Sequence, residues 1–202
     1  MKKLLSFFAV ALLLCFPLGA SATLMGTGEL NVVASGPTGG GYYLDYDGTV
    51  LNTTFGYSIS NAEVFCVSRE EGSGGLYDFY TITSDLDNYA TLSKAAWIAD
   101  NWKTYATPGM DMDMLKGEAQ KAVWKIMNVM DIVGADGIDL LIFESASEIS
   151  DYTTSRWYYA KSPAGGQGWD YQDFLTPVPE PLTLLLLGFG LLGIGAVRRF
   201  KK

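Results

Sequence analysis

Apolar residues follow two different periods along the central part of the chain. Where they alternate with polar residues, β-strands are predicted, at 30–34, 42–46, 63–68, 76–82 and 156–160. Where they recur every three to four positions, helices are predicted, at 91–102 and 116–130. The apolar run at 138–146 fits either a helix or a buried strand.

The order of these elements indicates the class of fold. Strands come first, helices follow and one strand returns, so the pattern predicts an α+β domain and not an alternating α/β fold. We expect a strand-rich N-terminal part, a small barrel or sandwich, packed against a helical subdomain in one globular domain at 23–164. The Met/Asp alternation at 110–114 is interpreted as an exposed loop or the approach to a helix, and the glycine-rich stretch at 165–177 as a linker.

The N-terminal segment has the three parts of a secretory signal peptide. Lys2 and Lys3 precede an apolar run at 4–16, and Ala20-Ser21-Ala22 forms a small-x-small cleavage site. The sequence therefore predicts export through the Sec machinery and removal of residues 1–22. A lipoprotein signal with the lipid on Cys15 is the alternative, although the preceding Leu-Leu-Leu lacks the small residues usual there.

The C-terminal segment is also tripartite. Val178-Pro179-Glu180-Pro181 precedes an apolar run at 182–197, for which a transmembrane helix is predicted. A basic cluster that acts as a positive-inside stop then follows, formed by Arg198, Arg199, Lys201 and Lys202.

This tail resembles the PEP-CTERM sorting signal of Gram-negative bacteria. The resemblance implies an exosortase-type membrane transpeptidase as a partner and transient anchoring in the inner membrane. Processing would then place the protein at the cell surface or in the extracellular matrix of a biofilm. An ordinary C-terminal membrane anchor is the alternative, but it gives no reason for Pro-Glu-Pro before the helix.

Composition excludes several kinds of function. Residues 23–177 contain 8 Lys and Arg against 21 Asp and Glu, so this region repels nucleic acid. The chain has no histidine, which removes Ser-His-Asp and Cys-His catalysis and the commonest metal ligand. No catalytic group, metal site or cofactor is predicted. Three Asp-x-Asp pairs are interpreted as solvated turns in preference to calcium ligands, at 45–47, 85–87 and 111–113.

Cys66 lies in the middle of a predicted strand. Alternation places it on one face with Val64, and Phe65 and Val67 on the other. Both faces are apolar, so Cys66 is expected to be buried, where a cysteine is usually a small hydrophobic residue. Because Cys15 would leave with the signal peptide, Cys66 would be a lone cysteine in an oxidising compartment, which needs an explanation.

Gln120 lies at the edge of the apolar face of the predicted helix at 116–130. Val123, Trp124 and Met127 follow it at helical spacing, while Lys121 points away. A glutamine in this position is usually an edge residue or a core amide whose hydrogen bonds are satisfied.

Three sequence segments together resemble the thioester domains of Gram-positive surface adhesins, over about 62–148. They are Phe65-Cys66 on a strand, Ala-Ala-Trp-Ile-Ala-Asp-Asn-Trp at 95–102, and Ala-Gln-x-Ala-Val-Trp at 119–124. In that family a strand cysteine and a helix glutamine are joined through their side chains, and the matching positions are Cys66 and Gln120. The family's glutamine motif has Thr and Ile where this chain has Ala119 and Val123.

The resemblance implies an adhesin-like domain that captures amine-bearing targets through an internal thioester and, because nothing turns over, is not an enzyme. A thioester would also protect the lone cysteine from oxidation. The alternative is a non-covalent structural or carbohydrate-associated matrix protein with a free Cys66. A hydrolase is a third hypothesis, and it would need convergent carboxylates in a cleft.

Overall fold

Six antiparallel strands form a closed barrel in the computed structural model, which describes residues 24–35, 45–52, 57–68, 75–129, 137–163 and 172–178. The strands are β1 (Leu24–Ser35), β2 (Asp45–Asn52), β3 (Tyr57–Cys66), β4 (Gly75–Thr81), β5 (Trp157–Lys161) and β6 (Phe174–Pro177). Their order around the barrel is β1-β2-β3-β6-β5-β4, and β4 closes on β1. The α+β class is confirmed, and the strand-rich part is a barrel.

The barrel interior is filled by side chains from every strand. This interior cluster consists of Leu30, Val50, Ala62, Val64, Cys66, Tyr77, Phe79, Ala160 and Phe174, together with Trp124 from a helix. Six strands leave room for side chains and little else, so the interior is a packed core.

A bulge in β3 bends the strand and sets which residues face the interior. Ile59 pairs with Val50 and Ala62 with Gly48, so two residues of β3 lie opposite one residue of β2. Asn61, within the bulge, has a positive φ of 54°, which asparagine tolerates better than most residues. Because of the extra residue, the interior positions shift from the odd-numbered Ile59 to the even-numbered residues that include Cys66.

Three helices cover one outer side of the barrel. They are α1 (Tyr89–Asn101), α2 (Met112–Ile126) and α3 (Ile138–Ser147), and a 3₁₀ turn (Trp102–Tyr105) continues α1. Their apolar faces meet the outward side chains of strand residues Phe65, Tyr159 and Leu175, and also Val67, which directly follows β3. This second, helix-facing core contains most of the buried helix residues and fixes α2 against the barrel.

Helix α2 begins four residues before the predicted start. Asp111 caps it: its carboxylate accepts a hydrogen bond from the backbone N–H of Asp113 at 2.9 Å. The segment at 110–114 therefore contains the cap and the start of the first turn of the helix. This agrees with one of its two interpretations, the approach to a helix. The run at 138–146, which fitted either a helix or a buried strand, is a helix.

The interpretation of 165–177 as a linker is wrong for its last four residues. Phe174–Pro177 form β6, which pairs with β3 on one side and β5 on the other. Phe174 and Leu175 are fully buried. The strand was missed because it is short and buried on both faces, so its apolar residues do not alternate with polar ones.

The predicted signal peptide and the apolar run at 182–197 lie outside the described residues. Within the ranges that the structure does describe, no helix combines the length and hydropathy needed to cross a membrane.

Candidate functional site

Cys66 is the last residue of β3 and points into the barrel. Its exposed fraction is 0%, and it belongs to the interior cluster with Val64, while Phe65 and Val67 belong to the helix-facing core. The alternation predicted for this strand is therefore confirmed. Cys66 forms no disulfide, and its thiol donates a hydrogen bond to the carbonyl oxygen of Ser68 at 3.3 Å.

Gln120 reaches the same place from helix α2. Its exposed fraction is 1%, so it lies on the buried side of the helix. Trp124 is one turn further along and points in a similar direction, because residues four apart are neighbours on a helix surface. The predicted position of Gln120 at the border of the apolar face agrees with its burial.

The two residues are joined by a pair of buried hydrogen bonds. The backbone N–H of Cys66 donates to Oε1 of Gln120 at 3.0 Å, and Nε2 of Gln120 donates to the backbone oxygen of Cys66 at 2.8 Å. Because the N–H of Cys66 can only donate and its C=O can only accept, the two bonds determine which end of the Gln120 amide is oxygen and which is nitrogen. The structure therefore brings the two residues named by the resemblance into direct contact.

The position of Cys66 in the ladder explains why its backbone is available. The N–H of Val67 donates to the oxygen of Asp173 at 2.9 Å, across the end of the β3–β6 ladder. In an antiparallel ladder the residue next to such a hydrogen-bonded pair turns its N–H and C=O to the other side. On that other side the described register of β2 with β3 ends at Tyr46 opposite Val64. Beyond the end of that register, the Gln120 side chain forms hydrogen bonds with the N–H and C=O of Cys66.

A polar network fixes the chain just after Cys66. The hydroxyl of Ser68 accepts a hydrogen bond from the N–H of Asp173 at 2.7 Å. The Asp173 carboxylate in turn accepts from the Tyr159 hydroxyl at 2.5 Å and from the Ser162 N–H at 2.7 Å. These contacts fix the position of the Ser68 carbonyl, which accepts the hydrogen bond from the Cys66 thiol. The sequence did not indicate Asp173, because it lies in the stretch interpreted as a linker.

Trp124 closes the interior cluster from the helix side. Its exposed fraction is 5%, and among the described helices it is the residue buried in the same cluster as Cys66. The turn after α2 fixes its backbone: the N–H of Val129 donates to the Trp124 oxygen at 2.8 Å, and Asn128 has φ 57°. Val129 also packs against the interior cluster.

The arrangement has the parts of an acyl-transfer site. A thiol and a carboxamide lie in adjoining buried positions, and the carboxamide oxygen receives a hydrogen bond from a fixed backbone N–H. A donor in that position stabilises negative charge that develops on the oxygen when its carbon is attacked. The amide nitrogen Nε2, which would be the leaving group in such an attack, donates a hydrogen bond to the backbone carbonyl of Cys66.

Asp100 is a second buried polar centre that the sequence did not indicate. Its carboxylate accepts hydrogen bonds from the Tyr152 hydroxyl at 2.8 Å, the Thr154 hydroxyl at 3.2 Å and Nε1 of Trp157 at 3.0 Å. Nη1 of Arg156 lies 3.2 Å from Oδ1 of Asp100. Burial, and then the hydrogen bond to Asp100, raises the pKa of Tyr152 to about 12. This centre ties the segment before β5 to helix α1.

Neither the Asp85–Asp87 pair nor the Asp111–Asp113 pair is a hydrogen-bond partner of Cys66 or Gln120 in the contacts described above. Asp111 and Asp113 belong to the cap of α2, whereas Asp85 and Asp87 line an outer cavity of about 400 Å³ with Tyr80, Tyr159 and Lys161. Asp45 and Asp47 lie in strand β2, so the interpretation as a turn is wrong for this pair. Over the described ranges, no three Asp, Glu, Cys or His side chains group so as to hold a metal ion.

The end of β6 leads directly into the C-terminal tail. Pro177 is the last residue of the strand, and the N–H of Val178 donates to the Arg156 oxygen at 2.7 Å. The model of the PEP-CTERM protein-sorting motif matches residues 177–199. The chain carries a PEP-CTERM sorting tail. The predicted sorting signal is thereby confirmed, although Pro179, Glu180, Pro181 and the basic cluster lie outside the described residues.

The PEP-CTERM motif implies an exported protein that an exosortase processes at the membrane and that is sorted to the cell surface. The match begins at Pro177, the last residue of β6, and does not cover the rest of the barrel domain. No curated protein and no solved structure matches the chain.

Proposed function

We propose that the barrel domain is a covalent capture module, which the PEP-CTERM tail delivers to the cell surface or extracellular matrix. Its reactive group is an internal thioester between Cys66 and Gln120. The observation that carries the proposal is the pair of hydrogen bonds between the Gln120 amide and the Cys66 backbone, at 3.0 and 2.8 Å, in a site with exposed fractions of 0% and 1%.

The bond forms by transfer of the acyl group from nitrogen to sulfur. The Cys66 sulfur attacks Cδ of Gln120, the S–Cδ bond forms and the Cδ–Nε2 bond breaks. The thiol proton leaves with the nitrogen as ammonia. The Cys66 N–H supports this step because it donates to Oε1, where negative charge develops.

Capture is the second acyl transfer. A primary amine on a target attacks Cδ, the N–Cδ bond forms and the S–Cδ bond breaks, and a proton from the amine restores the Cys66 thiol. The target is then joined to residue 120 by an amide. The domain reacts once, so it is a single-use reagent and not an enzyme.

Peptide mapping after treatment with methylamine tests this function. In the purified wild-type protein, the peptide containing residue 120 should gain about 14 Da, the mass by which a methylamide exceeds the original carboxamide. Gln172, which is half-buried, serves as the internal control and should keep its mass. The Cys66→Ala variant should show no adduct.

An unmodified Gln120 peptide in folded wild-type protein, with a thiol that labels only after unfolding, would overturn the proposal. The Gln120 amide would then be a structural partner of β3, and the domain a non-covalent component of the cell surface or matrix.

A further inference from the structure

A thioester inside a protein survives only if water is kept away from its carbonyl carbon. The strands shield Cys66 on the barrel side, since Val64 and Phe174 are fully buried in the interior cluster beside it. The helix side needs a separate cover, because Gln120 enters the site from α2. The buried side chain that α2 places in the interior cluster is Trp124.

The position of Trp124 relative to Gln120 is set by the helix itself. The two residues are four apart, so their side chains are neighbours on one face. The Val129 N–H bond to the Trp124 oxygen and the left-handed turn at Asn128 fix the end of this face. The indole, 5% exposed, is the largest side chain that α2 places in the interior cluster.

We propose that Trp124 is the water barrier of the site, and that it determines whether the acyl group lasts until an amine arrives. This inference rests on the proposed function. The two hydrogen bonds that hold Gln120 to Cys66 are made by those residues alone, and the role proposed for the indole is to cover the reactive carbon. Water that passed the barrier would hydrolyse the bond, restoring the thiol and leaving Glu at position 120.

The test compares Trp124→Ala and Trp124→Phe with a matched control at another buried tryptophan. Trp102 is the control: it is 2% exposed but lies in the helix-facing core, away from the interior cluster. Hydrolysis is followed in the purified protein as conversion of residue 120 to Glu, about 1 Da heavier than Gln. Thermal unfolding is measured for every variant.

We expect Trp124→Ala to hydrolyse at least about tenfold faster than wild type, since an opened site admits water. Trp124→Phe should restore most of the lifetime. Trp102→Ala should lower the unfolding temperature without changing the hydrolysis rate. The inference would be overturned if folded Trp124→Ala hydrolysed at the same rate as wild type. It would also be overturned if Trp102→Ala hydrolysed as fast as Trp124→Ala.

A failure of the proposed function has a different signature. If wild-type protein shows no bond that depends on Cys66, the capture function is refuted, and the barrier is then tested by the rate at which iodoacetamide labels the native Cys66 thiol. Faster labelling in Trp124→Ala but not in Trp102→Ala supports the barrier. Equal rates in all three proteins refute it.

Discussion

The Gln120 side-chain amide lies against the Cys66 backbone as a neighbouring strand would, with one bond in each direction at 3.0 and 2.8 Å. The contact joins residues 54 positions apart and couples helix α2 to the register of β3. A slip of β3 by one residue would turn the N–H and C=O of Cys66 toward β6 and move its side chain out of the barrel. The same contact therefore fixes the fold and sets the geometry of the candidate site.

Removing the Gln120 amide should destabilise the domain even when no covalent bond can form. In a Cys66→Ala background, Gln120→Leu removes both hydrogen bonds that the Gln120 amide makes to the buried backbone of residue 66. We expect a loss of roughly 1–3 kcal/mol in the free energy of unfolding, because two hydrogen bonds are lost and a typical intramolecular hydrogen bond contributes about 0.5–1.5 kcal/mol. Denaturant unfolding measures it.

The matched control for that variant is Ser93→Ala in the same background. Ser93 is 1% exposed, and its hydroxyl donates to the Ala90 oxygen, within its own helix, at 3.2 Å. Its loss should cost less than about 1 kcal/mol, because that carbonyl is not left as a lone buried acceptor. If the two variants lost the same free energy of unfolding, the Gln120 contact would contribute no more to stability than the hydrogen bond of Ser93 within its own helix.

The barrel should need β6 but not the rest of the tail. A chain that ends after Val178 keeps every strand, so it should unfold cooperatively. A chain that ends after Gln172 lacks β6 and exposes the edges of β3 and β5, so it should lose cooperative unfolding or aggregate. Calorimetry of both chains checks this. Cooperative unfolding of the shorter chain would show that β6 is dispensable.

Alkaline pH should weaken the contact between Tyr152 and Asp100. The folded state holds the pKa of Tyr152 at about 12, above its usual value of 10.0. Its protonated form is therefore favoured by folding, and the stabilisation is complete below pH 10 and lost as pH rises through 12. The free energy of unfolding should fall more steeply across this window in wild type than in Tyr152→Phe. Parallel curves would contradict the assignment.

Local patterns in the sequence predicted the parts of the site but not their contact. Alternation placed Cys66 on a buried strand face, and helical spacing placed Gln120 at the border of an apolar face. Only the resemblance to thioester domains paired the two, because neither period carries information about which strand a helix will face. The contact depends on the ladder with β6, a strand that the sequence did not reveal.

The remaining differences have similar causes. The bulge at Asn61 shifts the alternation of β3, and nothing in Ser-Asn-Ala marks it as a bulge before the strand pairing is known. The Asp100 carboxylate accepts hydrogen bonds from residues at least 52 positions away, and the Asp173 carboxylate accepts them across the gap between β5 and β6. Such hydrogen bonds arise from tertiary packing and leave no periodic signal in the chain.

The most direct test of the account is the difference in intact mass between the wild-type protein and its Cys66→Ala variant, both purified natively. Any processing of the two ends is common to both proteins and cancels. Without an internal bond the wild type should be heavier by about 32 Da, the mass difference between cysteine and alanine. With the thioester, the loss of ammonia from the wild type reduces this difference to about 15 Da. We predict the smaller difference, and a difference of about 32 Da in folded protein would contradict the thioester between Cys66 and Gln120.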